Sequence, residues 1–262
     1  MNTIAILMGV VLAASYLDAA VIVDLGTADV FAVLAGSTVT NTGTSIVNGS
    51  VGVWPGTAVT GFPPGIITGG ILHASDAVAQ QAQIDLGTAY MLAAGQPCPN
   101  VLTGQDLGGL TLTAGTYCFG ASAQLTGTLT LNAQGDPNAV FLFQMGSTLT
   151  TASNSSVVFT NGGQGDSVFW QVGSSATLGT STLFAGNILA LQSITLNTSA
   201  SIPCGRALAR NGAVTMDTNT VSIDTPGCET SITEPVPEPS SASLLFVAGA
   251  SGLLAFRTRK PG

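Results

Sequence analysis

The sequence predicts a mainly β chain wound as a parallel β-solenoid with one long α-helix packed alongside. Two rhythms and one periodic segment predict it. A threonine phrase, T-[LM]-x-T-x-[TSA], occupies 148–153, 177–182, 195–200 and 215–220, with starts 29, 18 and 20 residues apart. An interval near 18 to 20 suits one coil of a solenoid. Apolar runs at 140–143, 168–170, 187–190 and 206–209 precede the phrases with the same rhythm. The 29-residue interval contains Asn161-Gly162-Gly163-Gln164-Gly165-Asp166, which reads as a loop inserted into an otherwise regular coil.

From the N-terminus, residues 4–14 form an apolar run of signal-peptide length with small residues up to Ala20, so 1–20 is expected to be an export signal. No Lys or Arg precedes the run. A domain over 21–228 follows. Residues 24–67 read as short strands broken by Gly and Pro. The helix comes next, with Thr68 or Ser75 as cap. Leu72, Ala79, Ala82, Leu86, Ala89, Tyr90 and Ala93 share one face, and Gly95 and Pro97 end it. At about 20 residues it would reach ~30 Å, enough to run along about six rungs. Strand and turn then alternate to Asp224. Residues 229–239 read as a linker, and 240–262 hold an apolar stretch followed by Arg257, Arg259 and Lys260. That stretch is shorter than the ~20 residues that span a bilayer comfortably.

Only 7% of residues are charged and the formal net charge is −8. Between Asp24 and Cys228 the only cations are Arg206 and Arg210, against nine carboxylates. Nucleic-acid binding, which needs a basic surface to neutralise phosphates, is excluded. Export permits disulfides. The four cysteines allow three pairings; Cys98 with Cys118 and Cys204 with Cys228 are nearest in sequence, each closing about one coil. No C-x-x-C pair occurs and His73 is the sole histidine, so no metal site or cofactor is expected. His73 at the helix entry is expected to cap or to be buried. Asp106, Asp136, Asp166 and Asp217 are dispersed over turns, where Asp is common. Arg206 and Arg210 are expected to pair with local acids. No enzyme is expected.

Strand alternation sends Leu149, Leu178, Leu196 and Met216 inward and Thr148, Thr177, Thr195 and Thr215 outward. A second column comprises Thr151, Thr180, Thr198 and Thr218, with Ser153, Thr182, Ala200 and Thr220 two places later. The bend between the columns is expected at Thr150, Gly179, Asn197 and Asp217. Thr113 and Thr116 belong to a fifth, imperfect phrase at 111–116. Such columns make a rigid grid of methyl and hydroxyl groups suited to a regular crystalline surface. Of the two, the Thr151 column is the favoured contact surface.

The stretches 25–28, 31–43 (Phe31-Ala32-Val33-Leu34-Ala35-Gly36-Ser37-Thr38-Val39-Thr40-Asn41-Thr42-Gly43), 61–65, 136–141 and 205–210 resemble the DUF3494 ice-binding proteins of cold-adapted microbes, in order from about Asp24 to Asp224. The resemblance implies an irregular right-handed β-helix of triangular section, with the N-terminal coil beside the last coil and one flat face adsorbing to ice. It also implies a loose T-[AG]-x-[TN] motif on that face, matched at 57–60, 113–116 and 151–154. Ice is then the expected partner, with thermal hysteresis and inhibition of ice recrystallisation as the activities. A non-catalytic matrix or glycan-binding role is the alternative. Val236-Pro237-Glu238-Pro239-Ser240, the apolar stretch and the basic end resemble a PEP-CTERM sorting signal. This implies an exosortase-like partner, transient membrane anchoring, and release or retention at the surface of a Gram-negative bacterium.

Overall fold

In the computed structural model, residues 23–223 are described. The expected export signal, the linker at 229–239, the sorting segment at 240–262 and Cys228 lie outside them. Three strands recur in each coil. Phe141–Met145, Leu149–Thr151 and Ser156–Thr160 make one coil; Val168–Val172, Ala176–Leu178 and the start of Leu183–Ala190 make the next. Corresponding strands pair in parallel, which stacks the coils into a solenoid of three faces.

Two strands, Leu183–Ala190 and Ser201–Ala209, turn a corner without a break. They do so at Gly186 and Gly205, which are paired in register and have φ of 107° and 147°. A Cβ on Gly205 would stand 2.0 Å from the Gly186 carbonyl oxygen, so only glycine permits this stacked bend. One coil earlier the same corner is spanned by a loop containing the 3-10 turn Gly165–Ser167. This is the insertion that the long interval predicts.

The chain does not climb the stack in sequence order. Phe31–Ala35 pairs with Ser201–Ala209 on one side and Ser50–Val53 on the other. Thr38–Thr42 lies between Val214–Asp217 and Ala58–Thr60. Ile46–Asn48 lies between Thr220–Ser222 and Ile66–Thr68. The N-terminal coils therefore close on the last coil, as the resemblance implies. The helix Ala77–Ala94 carries the chain back to the far end, where Asn100–Val101 pairs with Gly115–Phe119. Its 18 residues span roughly 27 Å, or between five and six rungs.

One row of the interior is aromatic. Tyr117, Phe143 and Trp170 occupy successive rungs in register, with ring centroids 5.5 and 4.0 Å apart. A second apolar cluster lies between the helix and the face beneath it. There Ala82, Leu86, Ala89, Tyr90 and Ala93 meet Phe31, Leu34, Leu142, Phe169, Leu189 and Leu208. The predicted apolar face of the helix is thus the packed one, except at its start. Leu72 belongs to the strand Leu72–Ala74, which pairs with Ser50–Val53. Neither Thr68 nor Ser75 is the cap. Ser75 has φ of 57°, unsuited to a cap, and Asp76 takes the role by accepting the Ala79 N–H at 2.8 Å.

His73 is partly buried and its Nδ1 lies 2.7 Å from Asp76 Oδ2, so the sole histidine buttresses the cap. Arg206 behaves as expected. Its guanidinium meets Asp29 at 2.7 Å and donates to the Asp29 carbonyl and to Asn187 Oδ1, tying the N-terminal turn to the last coil. Arg210 departs from expectation. It has no carboxylate partner among the described residues and lies 5.7 Å over the Tyr90 ring. The space it fills is left by Gly87, where a Cβ would come within 2.8 Å of Arg210 Nη2. Cys98 and Cys118 form a disulfide with Cα atoms 6.0 Å apart, closing the first coil after the helix. Cys204 is also disulfide-bonded.

The 3-10 turn Gly26–Val30 is docked on the helix by Asp85, which accepts the Thr27 hydroxyl at 2.6 Å and the Thr27 N–H at 2.8 Å. These bonds, the hydroxyl first, hold the Asp85 carboxyl below its ordinary value of 3.8. A carboxylate with a depressed native pKa stabilises the fold above its unfolded pKa. That contribution is lost as pH falls through the native value. Wild type should therefore exceed Asp85→Asn in Tm at neutral pH, with the gap closing in acid below pH ~4. A gap that widens in acid would contradict this assignment.

Candidate functional site

The three faces differ in what they leave open. The first is covered by the helix. The second carries Thr128, Ser156, Leu183, Ser201, Thr220, Ile46 and Ile66 in one outward row. Leu183, Ile46 and Ile66 are exposed and project as large side chains from this row. Its Thr128 and Ser156 hydroxyls are bonded to each other at 2.8 Å.

The third face is a separate seven-stranded sheet. Its strands run Ala123–Leu125, Leu149–Thr151, Ala176–Leu178, Ile194–Leu196, Val214–Asp217, Thr38–Thr42 and Ala58–Thr60. Register sets Gln124, Thr150, Thr177, Thr195, Thr215, Thr40 and Thr60 in one outward row. Ala123, Leu149, Ala176, Ile194, Val214 and Val39 lie beneath it in the core. Six consecutive threonines span about 24 Å at the inter-strand spacing. Thr150, Thr215, Thr40 and Thr60 are exposed, and Thr177 and Thr195 half-buried. Among the described residues, no protein group hydrogen-bonds any of these six hydroxyls.

The row alongside is small, but its hydroxyls are engaged. The Thr148 hydroxyl donates to Ser122 Oγ at 2.8 Å. Ser175 Oγ accepts the Ser193 N–H, and Ser193 Oγ accepts the Ala213 N–H. The surface is thus a plane of mostly small groups with a line of free hydroxyls, and it carries the Asp217 carboxylate at the end of the strand Val214–Asp217.

The structure brings Thr177, Thr195 and Thr215 together as expected and redistributes the other expected residues. Thr148 stands two places out of step. Leu149 pairs with Ala176, so Thr150 and not Thr148 joins Thr177. The expected bend at Thr150 is therefore corrected to a strand position. Register here follows the corner glycines: Gly173 donates to the Met145 carbonyl, and its missing Cβ would stand 2.6 Å from the Gly146 oxygen.

The Thr151 column does not hold together as one surface: Thr151 turns inward, while Thr180, Thr198 and Thr218 stay exposed. Thr151 is only 3% exposed and Thr182 fully buried. Their hydroxyls are bonded at 2.8 Å, and Thr151 Oγ1 also accepts the Gly179 N–H. This satisfaction is what admits a threonine to the interior row that Leu178 occupies one coil on. Ala200 is buried as well. Thr180, Thr198, Thr218 and Ser153 are exposed at the corner beside the sheet. There Thr198 and Thr218 donate to the Asp217 carboxylate. Thr220 and Thr113 lie exposed on the second face, and Thr116 is buried in the strand Gly115–Phe119 of the first.

Of the outward threonine row, Thr60 closes the motif match at 57–60, whereas the sequence does not single out Thr40 or Thr150 as contacts. The alternation Thr38-Val39-Thr40 was a usable signal for a strand, but nothing local joins it to Thr215, 175 positions away.

Fold and surface together define a discontinuous parallel β-solenoid that displays one flat, hydroxyl-lined plane. The chain belongs to the Ice-binding-like family, whose model matches residues 33–222. It is 60% identical over 238 residues to an ice-binding protein of Nostoc sp. (strain HG1), covering 90% of this chain and 87% of that protein. It is 35% identical over 230 residues to ice-binding protein 1 of Shewanella frigidimarina (strain NCIMB 400), covering 76% of this chain but 26% of that longer protein. The crystal structure of an ice-binding protein from an Antarctic biological consortium superposes with a TM-score of 0.74 at 48% identity, covering 76% of this chain and 90% of that one.

Proposed function

We propose that this chain is an exported, non-enzymatic ice-binding protein that adsorbs to ice through the seven-stranded face, with Thr150, Thr177, Thr195, Thr215, Thr40 and Thr60 as its central contacts. The observation that carries this reading is the run of six free hydroxyls on consecutive rungs. Each threonine pairs a methyl, which disfavours disordered water around it, with a hydroxyl that can hold a water by a hydrogen bond. Threonine is stiff at χ1, so little side-chain freedom is lost when the layer orders. The relatives above are named for ice binding, which supports ice as the crystalline partner.

A glycan-binding role would call for exposed aromatic platforms. Among the described residues Tyr90, Tyr117 and Trp170 are buried and Trp54 is half-buried. Export, release or surface retention, and an exosortase-like partner rest on the apolar run at 4–14 and on the Pro-Glu-Pro triplet with its basic tail. We place the functional domain at 21–228 on the same grounds.

The test is an ice-recrystallisation and thermal-hysteresis assay on the purified domain, run beside Gln124→Thr. Wild type should shape and inhibit ice crystals. The variant extends the threonine row from six rungs to seven and should raise thermal hysteresis at equal concentration. A folded wild type inert towards ice would sink the function; a weaker Gln124→Thr would sink the choice of row.

A further inference from the structure

The described chain contains three Asn-Gly dipeptides, at 48–49, 161–162 and 211–212. This pair is the chemically labile one in proteins, because glycine offers no side chain to hinder attack of its backbone nitrogen on the preceding carboxamide. The attack needs that N–H out of any strong hydrogen bond and the asparagine side chain accessible. Folding therefore decides which of the three can react.

Two are held closed. Gly49 donates its N–H to the Thr68 carbonyl at 2.7 Å, and Asn48 is hydrogen-bonded to Ser222 at the edge of the second face. Gly212 donates its N–H to the Gln192 carbonyl at 3.1 Å. The third pair differs. Asn161 and Gly162 are both exposed, in the loop inserted between Ser156–Thr160 and Val168–Val172, and the Gly162 N–H meets no acceptor among the described residues. The Asn161 side chain makes one exposed contact, from Nδ2 to Asn132 Oδ1 at 3.1 Å.

We infer that Asn161 is a site of spontaneous covalent modification, by deamidation and isomerisation through a cyclic imide with Gly162. The Gly162 nitrogen loses its proton and bonds to Asn161 Cγ, the Cγ–Nδ2 bond breaks, and Nδ2 takes up a proton and leaves as ammonia. Water then adds to either imide carbonyl. Opening at one gives aspartate at 161; opening at the other gives isoaspartate, with an extra methylene in the backbone. No oxidant or enzyme is required.

The products change the loop in a readable way. Asn132 Oδ1 accepts both Asn161 Nδ2 and the Gln134 N–H at 2.9 Å, so its oxygen is fixed as an acceptor. A carboxylate at 161 has no proton to offer it and sets one acceptor oxygen against another. The turn at Gln134 and Gly135, which also donates from Gly135 to the Asn161 carbonyl, loses its cross-rung support. The threonine face lies on other strands and is untouched.

The experiment is a time course of folded wild-type protein in mildly alkaline buffer at constant temperature, read by peptide mass mapping with an isoaspartate-specific assay. A parallel sample is kept unfolded and reduced. In the folded sample, conversion at 161 should run at least about tenfold faster than at 48 or 211, because their amides must first open locally. In the unfolded sample the three should converge. Aged protein and an Asn161→Asp variant should both show faster hydrogen exchange at Gln134 and Gly135. Comparable folded-state rates at all three sites, or an intact Asn161 when the unfolded sample has reacted, would overturn the inference.

Discussion

Thr195→Tyr is expected to abolish ice activity while leaving the fold intact. Thr195 sits mid-row with Thr177 and Thr215 on the adjoining strands, about 4.8 Å to either side. A tyrosine ring there would stand above the plane and hold a flat crystal off at least the two neighbouring rungs. A loss of tenfold or more in effective activity needs only ~1.4 kcal/mol of lost adsorption energy. The cost to folding should stay within about 0.5 kcal/mol, since no buried group is changed at the surface. Two further variants make the result discriminating. Thr180→Tyr, at the corner, should keep most of the activity. Ser201→Tyr, on the second face, should keep it as well. A folded Thr195→Tyr with undiminished thermal hysteresis would remove this row from the ice contact, and loss of activity in Ser201→Tyr alone would move the site to the second face.

Trp170→Ala should be the most damaging change to stability. Trp170 is fully buried. Its ring stacks on Phe143 at 4.0 Å and leans on Phe184 at 4.8 Å, and its Nε1 donates to the Ala185 carbonyl at 3.0 Å. Truncation to alanine of a buried aromatic costs about 3–5 kcal/mol. Leaving a buried carbonyl unsatisfied adds about 1–3 kcal/mol. Against a typical total of about 5–15 kcal/mol, the variant would be marginal. Denaturant unfolding monitored by circular dichroism would measure it. In a stacked array each rung is supported by its neighbours, so the damage should spread along the row through Phe143 towards Tyr117. A change below about 1 kcal/mol would mean that the aromatic row is not the structural spine assigned to it.

Much of the architecture was legible because its signals are local. The match of 187–190 with 206–209 is the observed register, residue for residue. The apolar stripe from Ala79 to Ala93 is the packed face of the helix. The long interval is the observed loop. Errors came where a local pattern was ambiguous. In Thr148-Leu149-Thr150-Thr151, a slip of two residues leaves the inward and outward alternation unchanged, so the phrase alone cannot choose between Thr148 and Thr150. The choice is made at the corner, by the close approach of Gly173 to Gly146, and in the core, by the pairing of Phe143 with Trp170.

A low-charge chain of stacked parallel coils, a helix laid along them and a supply of surface threonines are all written in the order of the residues. Those follow from periodicity and side-chain type, which each segment carries alone. Which threonines form the row, and which of their hydroxyls are free, depends on contacts between distant segments. Thr40 and Thr60 enter the row because the first coils pack on the last. Thr151 leaves the surface because Thr182, a coil away, satisfies its hydroxyl in the interior. Hydrogen-bond satisfaction is settled between rungs, and rungs are brought together by packing across the whole chain.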